Sequence, residues 1–195
     1  MTRCPCRQLP RRPVAQTGSS LLEVLVAILI LSFGLLGLAG LTAASQRYVK
    51  MAQFQSIGVQ LAAELGERMR GNVGGFELGG YSKTGVYSTD AVPVPPCAST
   101  PCSTGDLAAI DLAQWTRALR QRLPGGDGFV QRDAVNLLAT DIWILWSDPD
   151  STVGSRDDAE ASLSVVGVND CPAAAVAGLA AGTVKPRCMY YRISL

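Results

Sequence analysis

The chain has 195 residues, with 17 lysines and arginines against 16 aspartates and glutamates, so its overall charge is close to neutral. It contains no histidine, which removes the commonest general base and the commonest metal ligand and argues against an enzyme. The charge is unevenly spread: Arg3, Arg7, Arg11 and Arg12 fall in the first 18 residues with no acid among them, leaving 13 basic and 16 acidic residues beyond. No basic patch remains there to suggest a nucleic-acid partner.

After this basic start comes an apolar run. Val24 to Leu41 reads VLVAILILSFGLLGLAGL, 18 residues without a charge, enough for a membrane-spanning helix. Arginines before it and few charges after it predict that the amino terminus stays on the cytoplasmic side. An ordinary secretory signal would have a shorter apolar region and a small-residue cleavage site, which Leu41-Thr42-Ala43-Ala44-Ser45 matches poorly. An uncleaved single-pass anchor and cleavage ahead of the apolar run are the two other fates.

One charge stands at the edge of the run, Glu23. A carboxylate in an apolar span costs about 2.5–3.5 kcal/mol on insertion scales and so calls for a partner. The segment Gly18-Ser19-Ser20-Leu21-Leu22-Glu23-Val24-Leu25-Val26-Ala27 resembles the processing site of type IV pilins and type II secretion pseudopilins. The resemblance implies that a prepilin peptidase cuts after Gly18 and methylates the new amino terminus at Ser19, where the family usually carries phenylalanine or methionine. It also implies that Glu23, the fifth mature residue, guides assembly. The new amine would lie about one helical turn from the Glu23 carboxylate, and the helix amino terminus favours the negative charge.

The helical pattern continues past the apolar run. Met51, Phe54, Gly58, Leu61, Leu65 and Met69 recur every three or four residues, while Gln53, Gln60, Glu64, Glu67 and Arg68 form the polar complement. Gly71-Asn72 is a stop signal. A helix from Ser19 to Arg70 would be about 78 Å long. Gly34, Gly37 and Gly40 within its apolar half suit either close helix packing or local softness in a filament.

Residues 73–105 are rich in Gly, Ser, Thr and Pro and read as an irregular connector. Ser103-Thr104-Gly105-Asp106 has the form of a capping box, followed by an amphipathic helix marked by Leu112, Trp115, Leu119 and Leu123 and closed by Pro124-Gly125-Gly126. Strands are expected near Phe129–Arg132, at Ile142–Trp146 as a central strand with two apolar faces, at Ser162–Val168, and at Met189–Leu195. Trp115, Trp143 and Trp146 are expected in the core rather than on a ligand platform. Asp148, Asp150, Asp157, Asp158 and Glu160 form an acidic loop that fails the EF-hand pattern, so a solvated loop is expected over a calcium site.

Cys4 and Cys6 precede the apolar run, whereas Cys97, Cys102, Cys171 and Cys188 follow it. Four cysteines beyond a membrane segment read as two disulfides formed in an oxidising compartment. Of three connectivities, Cys97–Cys102 with Cys171–Cys188 is favoured because each pair is close in sequence; a zinc site is the weaker alternative. No cofactor is expected, and no metal.

The expected fold is α+β and type IV pilin-like: a long amino-terminal spine helix, transmembrane in its first half, carrying a small antiparallel-sheet head. Its parts are a cleaved leader at 1–18, the helix at 19–72 with the span at 21–44, and the head at 73–195. Further strings sharpen the resemblance: Leu21–Ala27, Gly34-Leu35-Leu36-Gly37-Leu38-Ala39-Gly40-Leu41, Glu67-Arg68-Met69-Arg70-Gly71-Asn72, Asp111-Leu112-Ala113-Gln114-Trp115, Leu123-Pro124-Gly125-Gly126 and Pro186-Arg187-Cys188. Together they are similar to the PilV-like minor pilins of type IV pili. That resemblance implies priming of pilus assembly and support of adhesion and twitching motility. It implies as partners the prepilin peptidase, the other minor pilins and the major pilin, the assembly platform in the inner membrane, and an adhesin at the tip. It implies a single-pass inner-membrane protein with a periplasmic carboxyl terminus that later enters the filament at the cell surface. A type II secretion minor pseudopilin and a bitopic membrane protein with an unrelated head are the competing readings.

Overall fold

A computed structural model describes residues 20–147, 171–179 and 185–195. The expected strand at Ser162–Val168 and the acidic loop from Asp148 to Glu160 lie outside the described residues, as do Gly18 and Ser19. Seven elements follow in order: α1 (Leu21–Gly71), α2 (Val73–Glu77), α3 (Thr104–Arg122), β1 (Asp127–Arg132), β2 (Ala139–Trp146), α4 (Ala173–Val176) and β3 (Arg187–Ser194). Two compact units divide between Tyr48 and Val49.

The second unit is the head. Its sheet has the order β1-β2-β3, both pairs antiparallel. The central strand is β2, as its two apolar faces predict. Register sorts the side chains onto those faces, since neighbours across an antiparallel pair share a face. Gly128, Ile144 and Met189 are paired across the sheet, and so are Val130, Ile142 and Tyr191. This face meets α1 and α3, and the core holds Leu61, Ala62, Leu65 and Met69 of α1, Trp115 and Leu119 of α3, and Val130, Ile142, Ile144 and Trp146 of the sheet. The helical stripe read from the sequence is thus the buried stripe: Gly58, Leu61, Leu65 and Met69 are all buried.

Glycine permits the tightest of these contacts. A Cβ on Gly128 would lie 2.3 Å from the Trp115 ring, and one on Gly66 would lie 2.8 Å from Ile193 Cδ1. The Trp115 indole therefore lies directly on the sheet, and its Nε1 donates to the Leu61 carbonyl oxygen at 2.8 Å, so a buried polar atom is satisfied across two helices.

The opposite face carries a smaller cluster of Phe129, Leu145 and Ala175, with Tyr87, Trp143 and Cys188 packed against it. Trp115 and Trp146 are buried as expected. Trp143 is only partly buried, standing edge-on to Phe129 with ring centroids 5.7 Å apart.

The connector at 73–105 is more ordered than its composition predicts. It contains α2, capped by Asn72, whose side chain accepts from the Gly75 amide. Glycine reads as a helix breaker in sequence, but here it permits contact: a Cβ on Gly75 would fall 2.5 Å from the Thr104 carbonyl oxygen. Farther on, Lys83 and Val130 exchange two backbone hydrogen bonds of 2.8 Å, extending the ladder beyond β1.

Candidate functional site on the amino-terminal half of the first helix

Two features carry the functional reading, the exposed half of α1 and the polar and disulfide locks of the head. No residue from Leu21 to Lys50 is buried. Leu21 is 82% exposed and Leu36 is 68% exposed, and an apolar surface exposed over several consecutive turns marks a membrane or protein interaction surface. An 18-residue window of this helix reaches a mean hydropathy of 2.7. It is the one helix among the described residues long and apolar enough to cross a membrane.

Two hydroxyls of this stretch are satisfied within the helix. Ser32 Oγ donates to the Ile28 carbonyl at 2.7 Å and Thr42 Oγ1 donates to the Ala39 carbonyl at 2.8 Å. Such back-bonding hides hydroxyls that lipid could not solvate. A Cβ on Gly34, Gly37 or Gly40 would meet nothing within 4 Å. Those glycines therefore answer to no packing need within the described residues of the chain.

Glu23 lies in the first turn of α1. Its amide donates to the Ser20 carbonyl oxygen at 2.9 Å. The free amides of a first turn favour a nearby carboxylate. Gly18 and Ser19 are outside the described residues.

The disulfides join Cys97 to Cys102 and Cys171 to Cys188. The first closes a loop just ahead of α3. The second ties the α4 segment to β3, while the Ala175 carbonyl oxygen accepts from the Tyr87 amide at 2.7 Å.

A polar cluster that periodicity did not reveal joins α1 to α3. Arg68 donates to Glu64 at 2.8 Å, to Asp111 at 2.9 Å and to Gln114 at 2.9 Å. The Tyr81 hydroxyl donates to the other Asp111 oxygen at 2.6 Å. Burial, and then the acceptor Asp111, push the Tyr81 pKa up to about 12. Burial opposes the charge on Arg68, but the bonds to Glu64 and Asp111 outweigh it and its pKa is raised. The strings Glu67–Asn72 and Asp111–Trp115, more than 40 residues apart in sequence, thus meet at one helix–helix contact. The signal available in sequence was the pairing of one arginine string with one acidic string, which spacing alone does not join.

A second ion pair anchors the connector. Lys83 Nζ donates to Asp127 at 2.7 Å and to the Gly128 carbonyl at 2.7 Å, and Asp127 also accepts from the Ser88 amide at 3.1 Å. Asp127 is buried, so the Lys83 ammonium and the Ser88 amide, two donors, offset the loss of water around its carboxylate.

No protein-family profile, curated protein or solved structure matches this chain. Its own architecture remains: an exposed apolar helix followed by an α+β head with a three-stranded antiparallel sheet, consistent with a pilin-like fold.

Proposed function

We propose that the chain is a prepilin-like minor pilin of the PilV kind. In this reading it is cleaved after Gly18 and enters the initiating complex of a type IV pilus with other minor pilins. One observation carries the proposal: α1 leaves its amino-terminal half wholly exposed, with Glu23 in the first turn, and builds its carboxyl-terminal half into the core of a disulfide-bonded head. A helix divided in that way suits two successive environments. Its exposed half is compatible with lipid before assembly and with the same half of neighbouring subunits afterwards.

The amine at Ser19 and the Glu23 carboxylate are the charge pair of this proposal. A carboxylate and an amine attract each other strongly in an apolar surrounding, and in this reading the Ser19 amine, of the same subunit or of a neighbour, meets Glu23 and sets the docking register. The prepilin peptidase, the inner-membrane assembly platform, the major pilin and a tip adhesin are its other partners. Adhesion and twitching motility are the outputs.

N-terminal mass spectrometry of the mature protein tests the processing. The expected chain starts at Ser19, with or without a methyl group. Retention of residues 1–18 in cells with an active prepilin peptidase overturns the reading. Glu23→Ala is expected to leave cleavage intact and to reduce recovery in sheared pili at least tenfold; unchanged recovery would sink the charge-pair argument.

A further inference from the structure

The connector ahead of α3 contains Val92-Pro93-Val94-Pro95-Pro96. Its conformation follows from its residues. Each proline holds φ at about −65° and lacks an amide donor. Val92, Val94 and Pro95 each precede a proline, which confines them to extended or polyproline II backbone. The bonds before Pro93, Pro95 and Pro96 are trans. The segment forms no helix or strand, and among the described residues no backbone–backbone hydrogen bond involves residues 91–96. That is the solvated polyproline II form, which rises about 3.1 Å per residue in three-residue turns. Both ends are held. On one side the Ser88 amide donates to Asp127 at 3.1 Å and Arg120 donates to the Ser88 carbonyl oxygen at 3.0 Å. On the other, Cys97 is bridged to Cys102 just ahead of α3.

A three-residue turn puts Pro93 and Pro96 on one edge, Val92 and Pro95 on a second, and Val94 on the third. Pro93, Pro95 and Pro96 are exposed, whereas Val92 and Val94 are half-buried. Two neighbouring edges thus offer proline rings to solvent. We infer that residues 92–96 are a recognition segment for a partner protein whose groove is walled by aromatic rings and rimmed by a basic residue. Polyproline II segments dock in aromatic-lined grooves, and a segment ordered beforehand loses little freedom on docking. Addition to the edge of a partner's sheet fits poorly, because Pro93, Pro95 and Pro96 have no N–H to give to a ladder. The basic rim answers to Asp90, which is exposed and is the one charged residue between Lys83 and Asp106. The inference requires neither the membrane reading of α1 nor the pilus.

The test uses the full chain in detergent micelles. The probe is an isotope-labelled SH3 domain, whose groove takes proline-rich segments, in one form with an acidic groove rim and in another with a lysine rim. Binding is read from the amide shifts of the groove. The lysine-rim form is expected to bind the wild-type chain and to be displaced by a proline-rich peptide that fills the same groove. Pro93→Ala with Pro96→Ala is expected to weaken binding at least about tenfold. Asp90→Asn is expected to weaken the lysine-rim form about twofold to fivefold and to leave the acidic-rim form no weaker. Val94→Ala, on the remaining edge, is expected to bind as the wild type does. Far-UV circular dichroism checks that each variant is folded, and the peptide competition on the wild-type chain decides the matter if the proline variant is not. Absence of groove shifts with both forms overturns the inference. So does binding that survives the competing peptide or the double proline change in a folded chain. Binding of the lysine-rim form that ignores Asp90→Asn overturns the basic rim.

Discussion

At the residue scale the head depends on polar atoms that become buried and must be matched. Tyr81 is the clearest case. It is 2% exposed, its hydroxyl bonds to Asp111, and Asp111 in turn holds Arg68 of α1. Its folded-state pKa of about 12 lies above the ordinary tyrosine value of 10.0. A group raised in this way contributes stability that is complete below its unfolded pKa and is lost as pH rises through the folded one. The head should therefore be unaffected by Tyr81 up to about pH 10 and lose stability between about pH 10 and 12. Absorbance at 295 nm during alkaline titration checks this. Tyr81→Phe should remove one late-titrating tyrosine; Tyr191, raised to about 12 by burial, should remain as another. An unchanged late phase in the variant would place Tyr81 outside it.

At the element scale, α3 shows how local and tertiary signals agree. Ser103 accepts from the Asp106 amide at 3.0 Å and Asp106 accepts from the Ser103 amide at 3.2 Å, the reciprocal pair that Ser-Thr-Gly-Asp suggested. These bonds hold the Asp106 carboxyl below the usual carboxylate range, the Ser103 contacts being the main cause. Ser103→Ala removes the hydroxyl that accepts from the Asp106 amide and should cost about 1 kcal/mol, read as a fall in Tm of roughly 2–4 °C for a domain of this size. A shift below about half a degree would mean that tertiary packing alone holds the start of α3. By contrast, α2 was not expected. Its five residues include two glycines, so propensity opposes a helix, and only the fit of Gly74 and Gly75 against Thr104 explains their presence.

For the molecule as a whole, the disulfides decide how much of the head survives without its oxidising surroundings. Cys171–Cys188 spans 17 residues and Cys97–Cys102 spans 5. Chain-entropy scaling gives about 3 kcal/mol for the longer loop and about 2 kcal/mol for the shorter. The longer bridge also holds Ala175 over Phe129 and Leu145. Cys171→Ser with Cys188→Ser should therefore lower urea stability by about 3 kcal/mol or more, and Cys97→Ser with Cys102→Ser by about 2 kcal/mol. The reverse order would show that the second face of the sheet contributes little. The core between α1, α3 and the sheet should remain in both, because Leu61, Leu65, Trp115 and Ile144 lie on the other face.

The sequence by itself determined the features that depend on local order. The apolar run from Val24 to Leu41, the stripe from Gly58 to Met69, the capping box at Ser103 and the two-faced strand at Ile142–Trp146 are periodic or contiguous, and backbone geometry translates period directly into face. Glu23 was legible as well, because a lone carboxylate beside an apolar run is conspicuous without any fold. Only the tertiary structure decided the contacts between distant segments. Arg68 finding Asp111, Trp115 lying on Gly128, and Lys83 lengthening the ladder at Val130 are such contacts. Each joins residues 40 or more positions apart or depends on a missing side chain, and no period in the chain records which distant surface a residue will meet.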